Sequence, residues 1–221
     1  MDISEAIDRR KSIRAFKPDP IPMDTLKGIL QAAIRAPSWA NTQPWEFAVA
    51  AGEPLEAIRA SFLEKSKISS SPDVPRPPEF SEQYAARIRV LDKQNRLITQ
   101  KDWESRRVQN FRHFGAPAVI YLLTQRDFYY QAKGLNVWAL YDCGAVAENI
   151  MLLATNHGLG TVVQAQAAAY PDVVRNVLGI PESKIILLGI AIGYPDWDNT
   201  INQFRTEREP LDSIATWHGF S

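Results

Sequence analysis

The chain has one cysteine, Cys143, and three histidines in 221 residues. One cysteine excludes an internal disulfide framework. It falls in an apolar helical run, which reads as a small core residue rather than a nucleophile. His113, His157 and His218 are far from one another and from Cys143, so no zinc-ligand spacing exists. GxSxG, HExxH and P-loop patterns are absent. No glycine-rich fingerprint follows a predicted strand, which argues against a dinucleotide-binding Rossmann domain. Charge of one sign is lacking too: 25 basic residues balance 25 acidic ones. That gives no argument for nucleic acid or for an acidic membrane surface. The longest apolar runs read as interrupted by polar residues before membrane-spanning length. The opening Met-Asp-Ile-Ser-Glu-Ala has neither a basic nor an apolar leader region, so no signal peptide is expected. A cytoplasmic location fits the cysteine usage. With no side-chain nucleophile and no metal set, any catalysis is expected to rest on a bound cofactor.

What is present reads as one domain over 1–221 with a helical excursion at about 66–114. Helices are predicted over 2–10, where Ile3, Ala6 and Ile7 mark a core face, and over 24–36, with Asp24 as N-cap. A strand over 46–51 leads through a Gly52-Glu53-Pro54 turn, with Pro54 at the first helical position, into a helix ending near Lys65. Residues 66–78, rich in serine and proline, read as a mobile linker. A long charged helical stretch over 78–113 carries scattered aromatics (Phe80, Tyr84, Trp103, Phe111). It is either a lid or a solvated helix pair. Strands are predicted over 118–124, 161–166 and 184–193, and 126–133 is a loop or short turn. An apolar helix over 136–156, ended by Gly158, is central or lies at a subunit interface. A helix starting at Pro171 ends at Gly179. From Pro195 the chain is a polar tail with aromatic anchors. The irregular order of elements indicates an α+β sheet flanked by helices.

The densest chemistry lies near the start. Arg9-Arg10-Lys11-Ser12-Ile13-Arg14 places three arginines and a serine hydroxyl at a helix end. These are suitable donors for a phosphate. The same run is also compatible with a solvated helix end that complements the helix dipole. A second element follows at 36–47: Ala36-Pro37-Ser38-Trp39-Ala40-Asn41-Thr42-Gln43-Pro44-Trp45-Glu46-Phe47. It is a proline-containing loop with two tryptophans and several amides, a composition that suits ligand contact.

Together, RRxSxRxF followed by APSxxNxQPWxF resembles the FMN-dependent nitroreductase family. Three later stretches agree: Gly158-Leu159-Gly160-Thr161, Leu187 to Pro195, and Phe204-Arg205 to Pro210-Leu211. The resemblance implies a three-layer α/β/α sandwich of α+β class with a central, mainly antiparallel sheet. It also implies an intertwined homodimer with C-terminal tail exchange and FMN at the interface. Carried over residue by residue, Arg10 and Ser12, with Arg9 near them, would hold the FMN phosphate, joined by Arg208 and Arg205 from the tail. Arg14 would sit at the flavin pyrimidine edge, where a fixed cation stabilises charge gained on reduction. Pro37, Ser38, Trp39 and Asn41 would reach the partner's flavin, with Trp39 replacing a small polar residue common there. Gln164, Ala165 and Gln166 match the segment whose backbone N–H meets flavin N5. Ala165-Gln166 stands where relatives often have Glu-Gly. Arg112 is a further flavin contact on a looser match. Gln43 and Trp45 are assigned structural roles. No catalytic side chain is implied beyond the Gln166 N–H and Arg14, which tune the flavin, and no metal is expected.

The implied reaction is ping-pong two-electron reduction of nitroaromatic or quinone-like small molecules by NAD(P)H, with the excursion setting selectivity. Other reactions on the same fold remain open: reductive dehalogenation, enone reduction and oxygen-dependent flavin destruction. So does an FMN-binding carrier or sensor without turnover. A nucleic-acid module using residues 9–14 is disfavoured by the neutral charge.

Overall fold

The computed structural model describes residues 1–220. In chain order its helices and strands are α1 (Ile3–Arg9), α2 (Met23–Ala33), β1 (Glu46–Ala51), α3 (Gly52–Lys65), α4 (Glu82–Thr99), α5 (Trp103–Phe111), β2 (Ala118–Gln125), the short α6 (Arg126–Tyr129), the small hairpin β3 (Tyr130–Gln131) and β4 (Gly134–Leu135), α7 (Val137–Asn156), β5 (Gly160–Gln164), α8 (Pro171–Leu178) and β6 (Lys184–Gly193). The main sheet has the order β1-β2-β6-β5, and every pairing is antiparallel.

Strand β2 dictates the layering. Side chains alternate across a strand, and β2 is apolar at nearly every position. Val119, Tyr121 and Leu123 enter one core with Ile58 and Phe62 of α3, Phe111 of α5 and Val173 and Val174 of α8. Ala118, Ile120 and Leu122 enter the other with Leu26, Ile29 and Ala33 of α2 and Val146 and Ile150 of α7. A sheet that is apolar on both faces must be covered on both, which gives the α/β/α sandwich. Each large side chain buried this way contributes about 1.5–3 kcal/mol.

Several expectations are corrected. In α1 only Ala6 is buried, while Ile3 and Ile7 are 68% and 56% exposed. The short helix meets α7 along one narrow line, and its other apolar positions face outward. Helix α2 begins at Met23 on Pro22, so Asp24 lies in the first turn and is not the N-cap. Gly52, at φ +59°, makes the turn and already opens α3, which puts Pro54 at its third position. The charged stretch is two helices, broken where Gln100 adopts a left-handed conformation. Its Phe111 is core rather than surface. Residues 126–133 are a short helix and hairpin with Tyr129 buried, and β5 ends at Gln164 in a tight turn. Helix α7 is 20 residues long and apolar enough to cross a bilayer by length and composition, contrary to the sequence reading. Here its buried stripe (Ala139, Cys143, Val146, Ala147, Ile150, Ala154) covers the sheet.

The serine- and proline-rich linker is the largest correction. Asp73 pins it. The side chain is only 9% exposed, and one carboxylate oxygen accepts from the Arg175 guanidinium at 2.5 Å and from the Ile186 amide of β6 at 2.8 Å. The other oxygen faces Arg126 at 3.3 Å. Tyr130 donates to the Asp73 carbonyl, and the Ser71 amide donates to Ala169 O at 3.2 Å. A carboxylate taken from water must be paired and hydrogen-bonded in this way. Serine and proline content says nothing of such an anchor.

Two glycines set the approach of the site segments to the sheet. A Cβ on Gly160 would lie 2.5 Å from Ile13 Cγ1, and one on Gly189 would lie 2.6 Å from the Ala167 Cβ. Their absence lets residues 12–14 and the Ala165–Ala168 turn lie directly on β5 and β6.

Candidate active site

The basic segment after α1 is held as an extra, short edge. Ser12 bridges Thr161 in parallel, and the buried Ile13 donates to Thr161 O at 2.9 Å. Asn202, fully buried, then clamps the next residues. Its Oδ1 accepts from the Arg14 amide at 2.8 Å, and its Nδ2 donates to Ala15 O at 2.7 Å and Asp196 O at 2.8 Å. The backbone of Arg14 is therefore fixed from both sides. Its side chain is half-buried, and burial pulls its pKa below the ordinary arginine value. No carboxylate pairs with it among the described residues. A guanidinium stays charged under such conditions, so Arg14 is a positioned cation available to a ligand.

Arg14 lines a cavity of about 830 Å³. The walls come from several separate parts of the chain: Phe16 beside Arg14, Ile68 and Arg76 of the linker, α4 and α5, Phe114, Gln166 and Tyr170 after β5, and Asp196, Asn199, Thr200 and Ile201 of the tail. Trp103, Phe111 and Phe114 supply aromatic faces, whereas Phe80 and Tyr84 are not part of the wall. Five basic side chains (Arg14, Arg76, Lys101, Arg106, Arg107) face two carboxylates, Asp92 and Asp196. A flat aromatic molecule that carries negative charge matches this lining.

The excursion is tied over the cavity by arginines. Arg106 bridges α5 to Asp92 of α4 at 2.7 Å and stacks on Trp103. Arg107 pairs with Glu104 at 2.8 Å and donates to Ser66 O at 2.9 Å. Gln164, buried at the end of β5, donates to Asn110 Oδ1 at 2.6 Å and so couples the sheet to α5. Its Oε1 is left without a partner.

The predicted site residues fall into three groups, with Arg208 and Arg112 outside them. Arg14 and Gln166 line the cavity, with Gln164 and Ala165 leading into that turn. Arg9, Arg10 and Ser12 lie at or just after the end of α1, and Arg205 pairs with α1 from the tail; none is in the cavity wall. Arg9 pairs with Glu5 at 2.6 Å, Arg10 lies 3.7 Å from Glu148, and Arg205 reaches Asp8 at 2.8 Å. Lys11 lies over the Trp197 ring, and burial, with Arg205 nearby, lowers its pKa. Pro37, Ser38, Trp39 and Asn41 form a separate loop against α7, where the Trp39 amide donates to the buried Asp142 at 3.1 Å. In that loop Ala40, Asn41 and Gln43 all have positive φ, a cluster of backbone strain of the kind that surrounds functional sites. Gln43 donates to Asn41 O at 3.2 Å, and Trp45 is buried in the α2–α7 core. Arg208 lies apart, donating to Thr206 and Glu207. Arg112 ends α5 and is not in the cavity wall.

Sequence reasoning missed Asn202, Asp73 and Arg76. An asparagine in a polar tail and a charged pair among prolines carry no periodic signal. It also missed the role of His113. This ring is buried with Phe62 and Tyr121, at φ +51°, and burial, assisted by Arg59, lowers its pKa to about 3. It is neutral near pH 7 and packs rather than exchanging protons. Cys143 is likewise inert, its pKa pushed up to about 12 by burial and by Asp142. Among the described residues no cluster could hold a metal ion.

Comparison with known proteins gives a consistent result. The Nitroreductase family model matches residues 7–194. Nitroreductase NfnB of Mycolicibacterium smegmatis is 29% identical over 232 residues, covering 97% of this chain and 94% of that protein. The 4-nitrobenzoate reductase of Pseudomonas putida is 28% identical, covering 99% of this chain and 96% of that protein. The crystal structure of the FMN and NADPH-dependent nitroreductase NfnB from a Sphigopyxis strain superposes with a TM-score of 0.91 at 28% identity, over all of both chains.

Proposed function

We propose, from the premise that the chain belongs to the nitroreductase family, that it is an FMN-dependent NAD(P)H oxidoreductase that reduces nitroaromatic or quinone-like small molecules. The observation that carries this reading is Arg14, a positioned guanidinium without a carboxylate partner among the described residues, in the wall of an aromatic cavity of about 830 Å³. The residues present fit the cofactor. The cavity accommodates a tricyclic ring, and Arg14 offers a cation for its pyrimidine edge. Gln166 lies in the same wall, and its backbone N–H would be the donor toward the ring. Arg10 and Ser12 after α1, with Arg205 from the tail, would offer donors for a phosphate. FMN bound there would supply two-electron redox chemistry between NAD(P)H and the oxidant.

The protein's own part is positioning and electrostatics. Asn202 holds the Arg14 backbone, so its charge is in place before negative charge develops, without reorganisation. Trp103 and Phe114 offer aromatic faces in the wall for planar donor and oxidant in turn. The excursion over 66–114 acts as a lid within a single domain.

The assembly we propose is a cytoplasmic homodimer with exchanged tails. Trp39, Trp138 and Tyr141 are exposed, as are Leu211, Ile214, Trp217 and Phe220 of the tail. Strand β1 is an uncovered sheet edge. Large exposed apolar groups and open edges call for a partner. Pro37, Ser38, Trp39 and Asn41 would then reach the other subunit's cofactor, and Arg208 would leave its local contacts.

The test is anaerobic steady-state turnover with NADPH or NADH against 4-nitrobenzoate, nitrobenzene and benzoquinone. Parallel double-reciprocal lines with donor and oxidant varied support the reading. FMN-loaded protein that oxidises neither nicotinamide above background contradicts it.

A further inference from the structure

The geometry points to Arg76 as a specificity-determining residue. It is a preset seat for a single anionic group, carboxylate or phosphate, on the molecule that enters the cavity; this rests on the function proposed above.

Three observations converge on it. First, the segment that carries Arg76 is fixed. Asp73, three residues earlier, is buried against Arg175, Arg126 and the Ile186 amide. Second, the stretch between and beyond is stiff. The sequence Pro72-Asp73-Val74-Pro75-Arg76-Pro77-Pro78 locks φ at four positions and biases Val74 and Arg76 to extended backbone. Val74 also packs beside Tyr129, Ala139 and Ile185. Third, Arg76 lines the cavity, and its guanidinium donates there to the neutral side-chain oxygen of Gln166. The other lid arginines differ. Arg106 and Arg107 are occupied by Asp92 and Glu104.

An arginine on a mobile loop loses much of its binding free energy to ordering. Here the anchor and the prolines carry that ordering in the free protein. The guanidinium presents a planar fork of donors suited to an oxyanion, and a neutral amide is an acceptor that a charged group displaces. A carboxylate on an aromatic oxidant and a phosphate on the nicotinamide donor are the two sources of such a group, and both substrates use this cavity.

Calorimetric titration of the purified protein with 4-nitrobenzoate, nitrobenzene, NADP+ and NAD+, with no reductant present, tests the seat without turnover. For Arg76→Gln, affinity is expected to fall about tenfold or more for either 4-nitrobenzoate or NADP+, the size of a lost charge-assisted hydrogen bond. Nitrobenzene and NAD+ should change less than about twofold, and Arg76→Lys should recover part of the loss, as a point charge without the fork. A loss confined to 4-nitrobenzoate assigns the oxidant's carboxylate, and a loss confined to NADP+ assigns the donor's phosphate. Equal loss for charged and neutral ligands, or no loss for any anion, overturns the proposal. Visible absorbance of the same samples separates the two readings. Yellow protein without an Arg76 effect removes the seat alone, whereas an Arg76 effect in protein that takes up no FMN removes the cofactor reading alone.

Discussion

The sheet and the α4–α5 excursion are held together by different forces. Strand β2 is buried along nearly its whole length, and both cores that flank it are aliphatic and aromatic. Helix α4 buries no residue at all, and α5 buries only Phe111. The lid relies on ion pairs: Arg106 with Asp92, Arg107 with Glu104, and Arg87 with Glu209 of the tail. Burial is cooperative and is not weakened by electrostatic screening. Exposed ion pairs contribute little and are screened. The contrast teaches where motion is to be sought. Ligand-binding lids come from the low-stability end of a structure, and the proposed lid would open against charges while the sheet beneath stays intact. Asp73 is the exception, a buried charge that extends the rigidity of the sheet to the near rim of the cavity.

The comparison can be pressed from its strong side first. Leu122→Ala, in the middle of β2, should cost roughly 2–5 kcal/mol in urea unfolding, as for other large-to-small core changes. A similar loss from a substitution on the outer face of α4 would erase the distinction. Gly189→Ala comes next. The added Cβ, 2.6 Å from that of Ala167, must push the Ala165–Ala168 turn off β6. We expect overpacking of about 1–3 kcal/mol, together with weaker FMN retention on gel filtration.

Acid acts through the core as well. His113 binds its proton only near pH 3 in the folded chain, against 6.5 for an ordinary imidazole. The unfolded chain therefore takes the proton first. The contribution to stability is complete above pH 6.5 and is lost progressively as pH falls toward 3. His113→Asn, which tolerates the positive φ, should flatten that decline when urea midpoints at about pH 7 and about pH 4.5 are compared. The smallest effect belongs to the lid. Raising salt from about 0.1 M to about 1 M shortens the screening length from about 10 Å to about 3 Å. Limited proteolysis within α4 and α5 should then quicken while the melting temperature of the whole chain hardly moves. Cleavage at β2 or α7 at the same rate would contradict a separately opening lid.

The same division explains what the sequence disclosed. The sheet and its helices follow from hydrophobic period, and the ends of α7 and α8 follow from Gly158 and Gly179, both at positive φ. The basic run and the tryptophan loop were legible because their residue types and order are unusual. Asp73 and Arg76 were not, because their partners Arg175, Ile186 and Gln166 lie 90 or more positions away. Ile3 and Ile7 misled for a related reason. Their apolar spacing marks a face, but within one chain that face has nothing to cover it.

The most direct test of the central claim, FMN held in the cavity beside Arg14, is the visible spectrum of purified protein after incubation with FMN and gel filtration. Anaerobic NADPH is then added. The account predicts a yellow protein that loses its colour on addition of the donor and retains less FMN as Arg14→Gln. Wild-type protein that emerges colourless would contradict it.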